Sequence, residues 1–131
     1  MKYISTRGGM PPQAFTDILL GGLAPDGGLA ICENYPKVKA GELKAWRGFS
    51  YADLAFAIIS KFADDIPADD LKRIIAKTYT AEIFSNCDNA GDITPLKTLE
   101  PGLHILALSN GPTLAFKDFA MQLIGQMMQA A

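Results

Sequence analysis

Lys117 is the main candidate for a chemically active residue in this sequence. It is a lysine at the start of a predicted amphipathic helix. From Phe116, apolar residues recur at helical spacing, at positions 116, 119, 120, 123, 124, 127 and 128. The polar stripe of the same helix consists of Asp118, Gln122, Gln126 and Gln129. At roughly 100° per residue, Lys117 points more than about 100° away from the centre of that stripe. The pattern therefore predicts a lysine on the apolar side of a helix.

A lysine in that position could act as a nucleophile. Burial of an ammonium group is unfavourable and lowers its pKa, and a neutral amine can form a Schiff base with a carbonyl compound. Two other interpretations stay open on geometry alone. The Lys117 side chain could extend along the apolar surface to solvent, or it could be exposed because the helix begins later.

The segment around this lysine, SNGPTLAFKDFAMQLIG over residues 109–125, resembles the pyridoxal-phosphate lysine segment of the threonine synthase family. The N-terminal half agrees. Tyr3–Gly9 resembles the opening strand of that family, and Gly21–Leu29 resembles its GLAPDGGL loop. Shorter matches follow in the expected order at Ser50–Leu54, Asp65–Pro67 and Ile93–Pro95. The resemblance therefore runs over essentially the whole chain.

The resemblance implies a specific reaction. Threonine synthases convert O-phospho-L-homoserine and water to L-threonine and phosphate with pyridoxal 5'-phosphate as cofactor. Lys117 matches the lysine that holds this cofactor as a Schiff base, and the freed amine then moves protons at the α and β carbons of the substrate. The resemblance thus implies Lys117 as both the catalytic and the cofactor-binding residue, in threonine biosynthesis.

The same resemblance implies a mixed, helix-dominant α/β fold in two parts. Residues 1–92 would form the threonine synthase-like N-terminal domain. Residues 93–131 would be the first strand and helix of a fold-type II pyridoxal-phosphate catalytic domain. Because family members are several times longer and the last helix has no stop signal, we expect a truncated chain that is inactive alone.

Two alternatives to a threonine synthase remain. The chain could be a non-catalytic folding or interface module taken from a related pyridoxal-phosphate enzyme. It could also belong to a different pyridoxal-phosphate enzyme of the same broad fold, such as a dehydratase, which the N-terminal half disfavours.

Composition favours an ordinary cytoplasmic protein. Hydrophobic residues make up 49% of the chain and charged residues 20%, which is enough for a core. The net charge of −2 and the lack of a basic tract argue against nucleic acid as a partner. Cys32 and Cys87 have no CxxC spacing, so we expect free buried thiols and no metal site. No apolar run is long enough to span a membrane.

Gly and Pro residues interrupt the helical and extended patterns and divide the chain into short elements. The predicted helices are Gln13–Leu20, Gly41–Arg47, one capped by Ser50 with Asp53, one beginning near Pro67, and the one from Phe116. The predicted extended segments are Tyr3–Thr6, Leu29–Cys32, and a hairpin of Leu96–Leu99 with Leu103–Leu108. Asp88–Thr94 reads as a loop. Because Leu103–Leu108 is nearly all apolar, we expect cover on both faces of that strand, and exposed apolar faces and self-association if the cover is missing.

The remaining candidates have simpler explanations. His104 lies in an apolar strand and is better explained as a core or interface residue than as a base. The pairs Gly21-Gly22 and Gly27-Gly28 lack the spacing of a phosphate loop and are turn glycines, and Asp69-Asp70 is a solvated helix start. Asp118 is expected to favour the helix N-terminus. Thr113 and Asn110 could polarise a bound anion, although loop structure explains them about as well.

Overall fold

The computed structural model describes residues 1–86 and 91–130, which contain five α-helices and four β-strands. The helices are α1 Phe15–Gly21, α2 Ala40–Trp46, α3 Tyr51–Ile59, α4 Ala68–Thr78 and α5 Asp118–Ala130. The strands are β1 Tyr3–Ser5, β2 Ala30–Cys32, β3 Leu96–Glu100 and β4 Leu103–Leu106. The mixed, helix-rich fold predicted from the sequence is therefore confirmed. No helix within these ranges is both long and apolar enough to cross a membrane.

The chain packs as two compact units, Met1–Arg73 and Ile74–Ala131. The predicted division into domains 1–92 and 93–131 concerns a longer protein and stays a prediction. In the first unit, the buried hydrophobic residues are Tyr3, Met10, Ala24, Cys32, Ala63 and Leu71. In the second unit, they are Ile74, Ile75, Tyr79, Phe84, Ile93, Leu123 and Met127.

An antiparallel strand pair organises the first unit. The predicted extended segments become β1 and β2, with Tyr3 opposite Cys32 and Ser5 opposite Ala30. Side chains alternate between the two faces of a strand, so Tyr3 and Ser5 are both buried, with Ile4 between them less so. The Tyr3 hydroxyl donates to the backbone carbonyl of Phe62 at 2.9 Å, which anchors this strand. Burial raises the pKa of Tyr3 to about 12.

Helix starts in this unit follow the predicted capping chemistry. The Ser50 hydroxyl accepts a hydrogen bond from the backbone N–H of Asp53 at 3.1 Å and begins α3. The Asp53 carboxylate, however, accepts from the Ser50 hydroxyl at 2.6 Å and not from its backbone N–H. The backbone N–H of the residue before the helix is satisfied in α2, where Glu42 accepts from the N–H of Lys39 at 2.8 Å; this is half of a capping box, because a lysine side chain has no acceptor.

A β-hairpin, made by β3 and β4, belongs to the second unit. Pairs from Leu96 with Leu106 to Glu100 with Leu103 surround Pro101-Gly102, as predicted. Of the two outcomes expected for the second strand, cover on both faces or exposed apolar faces where the cover is missing, this chain shows the second, because every residue of β4 is exposed. The apolar run makes a strand by its propensity, but none of the described residues covers it.

Candidate functional site

Lys117 lies immediately before α5, not inside it. The helix begins at Asp118, and the Lys117 carbonyl accepts its first hydrogen bonds, from the N–H groups of Ala120 at 3.1 Å and Met121 at 2.8 Å. The Lys117 side chain is exposed, so of the interpretations that the sequence left open the structure supports the later helix start and not a lysine buried on the apolar face. The reason is the later helix start, and Phe116, which also precedes α5, is 67% exposed.

The segment that leads to Lys117, residues 109–117 and here called the lysine loop, is fastened at its beginning. Asn110 is buried, and its side-chain amide donates to the carbonyl of Ile93 at 3.2 Å. The side chain of Asn86 donates to the Gly111 carbonyl at 3.0 Å, and its backbone N–H donates to the Asn110 carbonyl at 3.3 Å. Of the two interpretations of Asn110, the structure supports the loop role.

The end of the lysine loop is fastened by Asp118. Its carboxylate is only 4% exposed and accepts two hydrogen bonds from Thr113, from the backbone N–H to Oδ2 and from the hydroxyl to Oδ1, each 2.8 Å. We call this contact the Thr113–Asp118 clamp. Gly111 packs against it, because a Cβ at that position would lie 2.8 Å from the Asp118 carboxyl carbon.

The clamp is not predicted by the sequence, in which Asp118 is expected only to favour the helix N-terminus. Its place as the first residue of α5 still allows that role. The one available signal was an isolated aspartate among Ala115, Phe116 and Phe119, since a carboxylate in apolar surroundings needs hydrogen-bond donors.

An aromatic cluster supports the first turn of α5. The Phe119 ring lies 4.7 Å from Phe84 and 6.5 Å from Tyr79, measured between centroids. The Tyr79 hydroxyl donates to the Phe119 carbonyl at 2.9 Å, so a residue just after α4 holds the helix that follows Lys117. As a result, the backbone is held by hydrogen bonds both before Lys117, in the lysine loop, and after it, in the first turn of α5.

The Lys117 amine fits the attachment of an aldehyde cofactor. It is exposed, and it makes no ion pair with any residue that the structure describes, so no contact must break before it reacts. Its backbone is held by the clamp and by the first helical hydrogen bonds. Among the described residues, no three His, Cys, Asp or Glu side chains lie close enough together to hold a metal ion.

The remaining sequence candidates have structural roles or are exposed. His104 is exposed, with Nδ1 2.9 Å from the Thr98 hydroxyl, so it is not a core residue of this chain. Cys32 is a buried free thiol, whereas Cys87 and the beginning of the predicted Asp88–Thr94 loop lie outside the described residues. Asp70, at the start of α4, pairs with Arg73.

Of the predicted turn glycines, Gly21 and Gly22 end α1, whereas Gly27 and Gly28 belong to a turn that centres on Asp26. The Asp26 carboxylate accepts from the Ser5 hydroxyl at 2.7 Å and from the N–H groups of Gly28 at 2.9 Å and Gly9 at 2.7 Å. The Ser5 hydrogen bond is the main reason why the pKa of Asp26 is lowered. Gly27 has a φ of 76°, as expected of a turn glycine.

Comparison with known proteins gives a consistent result. A family model described as threonine synthase N terminus matches residues 2–79. The threonine synthase of Methylobacillus glycogenes is 57% identical over 132 residues, covering 98% of this chain and 28% of the relative. The threonine synthase of Corynebacterium glutamicum is 48% identical, covering 98% of this chain and 27% of the relative. The chain therefore spans about a quarter of the length of these relatives.

Solved structures agree at the level of the fold. The PLP-bound threonine synthase of Brucella melitensis is 41% identical and superposes with a TM-score of 0.86, covering 99% of this chain and 27% of that chain. The threonine synthase of Escherichia coli, at 24% identity and a TM-score of 0.80, shows the shared fold alone.

Proposed function

Because this chain belongs to the threonine synthase family, we propose that it is the N-terminal part of a pyridoxal-phosphate-dependent lyase. The proposed reaction converts O-phospho-L-homoserine and water to L-threonine and phosphate, as the resemblance implies. The observation that carries the proposal is the exposed Lys117 amine on a fastened loop, in a chain that threonine synthases match over 98% of its length. A cytoplasmic location stays a prediction from the sequence.

In this proposal, Lys117 has two roles. Its amine would hold the cofactor aldehyde covalently, and once the substrate amine has displaced it, it would accept and return protons at the α and β carbons of the substrate. Pyridoxal phosphate, when bound, supplies the electron sink that this chemistry requires. The lysine loop and the clamp orient the amine, because a reacting group must be held close to its productive geometry.

A hybrid enzyme tests the proposal directly. This chain would replace the matching 28% of the Methylobacillus glycogenes enzyme. We expect phosphate release from O-phosphohomoserine, and loss of nearly all of it on Lys117→Ala. Borohydride reduction followed by peptide mass spectrometry should find the cofactor on Lys117.

Lys77→Ala is the matched control, because Lys77 is an exposed lysine of the same compact unit, near the end of α4. It should retain turnover and cofactor. An active Lys117→Ala hybrid with the cofactor on another lysine would contradict the proposal and favour a non-catalytic module.

A further inference from the structure

Asp118 is a buried acid whose partners are all in the lysine loop. Both carboxylate oxygens accept from Thr113, and Asp118 forms no ion pair with any other described residue. A buried carboxylate is retained only when hydrogen-bond donors satisfy it, and Thr113 supplies two. The carboxylate therefore acts on the loop and not on the Lys117 amine.

The clamp closes the chain around Lys117. It joins residue 113 to residue 118, so that Lys117 is the last residue inside the closed segment. Within the segment, the N–H of Leu114 donates to the Gly111 carbonyl at 3.2 Å and that of Asp118 donates to the Ala115 carbonyl at 3.1 Å. Leu114 has a φ of 62°, a conformation that residues other than glycine rarely adopt unless neighbouring contacts hold it.

We propose that Asp118 is a positioning residue, which with Thr113 closes the lysine loop and sets the place at which the Lys117 amine meets its cofactor. The inference rests on the proposed role of Lys117 as the attachment point. This role differs from that of a negative charge that stabilises the start of a helix. Such a charge acts on the helix N-terminus and needs no particular hydrogen-bond partner in the preceding loop.

Substitutions at Thr113 separate the two roles of Asp118. Thr113→Val keeps the Asp118 charge and the backbone donor but removes the hydroxyl, whereas Thr113→Ser keeps both donors. Asp118→Asn keeps the shape but loses an acceptor and the charge. Asp69→Asn removes an acidic side chain from the first turn of α4 that is exposed and outside the clamp, and serves as the control for charge alone.

Two measurements on the 131-residue chain test the inference. The first is residue-resolved amide hydrogen exchange over residues 113–117, with protection in α4 reporting that each variant is folded. The second uses pyridoxal phosphate as the probe, with borohydride trapping and peptide mass spectrometry to compare labelling at Lys117 and Lys77. We expect exchange of the Thr113 amide to be faster by roughly tenfold in Asp118→Asn. Exchange should also be faster, though less so, in Thr113→Val.

Labelling should prefer Lys117 in the unaltered chain, and the preference should fall several-fold in both clamp variants. Thr113→Ser should restore it, and Asp69→Asn should leave it unchanged. Unchanged exchange in the clamp variants, or a labelling preference retained in both, would overturn the inference alone. Absence of any preference for Lys117 in the unaltered chain would also overturn the inference, whereas the proposed function is tested separately by turnover and cofactor attachment in the hybrid enzyme.

Discussion

At the scale of single residues, the site depends on where the backbone of Lys117 is held. The amine is exposed and makes no ion pair with any described residue, so its proposed role depends on how the Lys117 backbone is held and not on burial of the amine. That backbone is held by the Thr113–Asp118 clamp on one side and by the carbonyl contacts with α5 on the other. The proposed role also requires that the side chain end in an amine that can lose its proton and act as a nucleophile.

The need for an amine predicts that Lys117→Arg abolishes turnover in the hybrid enzyme. A guanidinium group stays protonated and is not a useful amine nucleophile, so conserving the positive charge should not conserve turnover. We expect phosphate release to fall to the level of Lys117→Ala and the visible absorbance of the bound cofactor to vanish. Lys77→Arg is the control, and substantial turnover in Lys117→Arg would mean that this residue contributes only charge.

The hydrogen bonds of a second residue, Asp26, predict that the stability of the first unit falls in acid. The pKa of Asp26 is lower in the folded chain than its ordinary value, mainly through the Ser5 hydroxyl. Its contribution to stability is therefore present above the ordinary aspartate pKa and is lost as the pH falls through the lower, folded value.

Urea unfolding of the unaltered chain and of Asp26→Asn, at about pH 7 and about pH 3, would measure this effect. The unaltered chain should be the more stable at neutral pH, and the difference should shrink in acid. A difference that does not change with pH would contradict the assignment. Asp69→Asn, at an exposed helix start, controls for general charge effects.

At the scale of elements, α5 is held at its beginning and exposed along one face. Tyr79 and Phe84 contact its first turn, and Leu123 and Met127 are buried. Met121, Ile124 and Met128 are 59%, 36% and 50% exposed, although their i, i+3, i+7 spacing gives them one face of the helix. The anchored end bears on the local stability of α5, and the exposed face bears on self-association of the chain.

The anchored end predicts that Tyr79→Phe loosens the start of α5. The change removes a hydrogen bond to the Phe119 carbonyl but keeps the ring, so we expect a loss of about 1 kcal/mol in local stability. Amide exchange should quicken in the first turns of α5 while α3 is unaffected. Tyr35→Phe, at a largely exposed tyrosine, is the control, and equal effects of the two substitutions would rule out this anchoring role.

At the scale of the whole molecule, many large hydrophobic side chains of this chain are exposed. Both strands of the hairpin are exposed, as is the face of α5 formed by Met121, Ile124 and Met128. Contiguous exposed apolar surface of this kind drives association. The family relatives are about four times as long as the region they share with this chain.

This surface predicts that the 131-residue chain self-associates, or that α5 is less protected than α3. Light scattering should detect species larger than a monomer, and Met121→Lys with Met128→Lys should reduce them. Tyr35→Lys, which lies outside these surfaces, should not. A strictly monomeric chain with α5 as protected from hydrogen exchange as α3 would contradict the prediction.

A second whole-molecule prediction is that this chain alone does not release phosphate from O-phosphohomoserine. One positioned amine cannot reproduce the preorganised site on which catalysis depends. Phosphate release would be measured with and without added pyridoxal phosphate, with the hybrid enzyme as the positive control. Turnover by the chain above the rate of the cofactor alone would refute the prediction.

The sequence by itself determined the local elements and the family. Capping at Ser50, the Pro101-Gly102 turn and the apolar spacing after Phe116 are local signals, and each predicted element has a counterpart in the structure. The lysine segment and the GLAPDGGL loop identified the threonine synthase family from residue order alone. These features depend on neighbours along the chain, which a sequence records.

Only the tertiary structure decided which surfaces are covered and how the lysine is held. Helical spacing placed Lys117 toward the apolar side of a helix, but α5 begins at Asp118, so Lys117 precedes the helix and is exposed. The apolar pattern of β4 predicted cover that the described chain does not provide. The clamp joins Thr113 to Asp118 through a loop whose path no periodicity encodes. Burial and loop closure depend on which segments meet in space, so a periodic pattern cannot fix them.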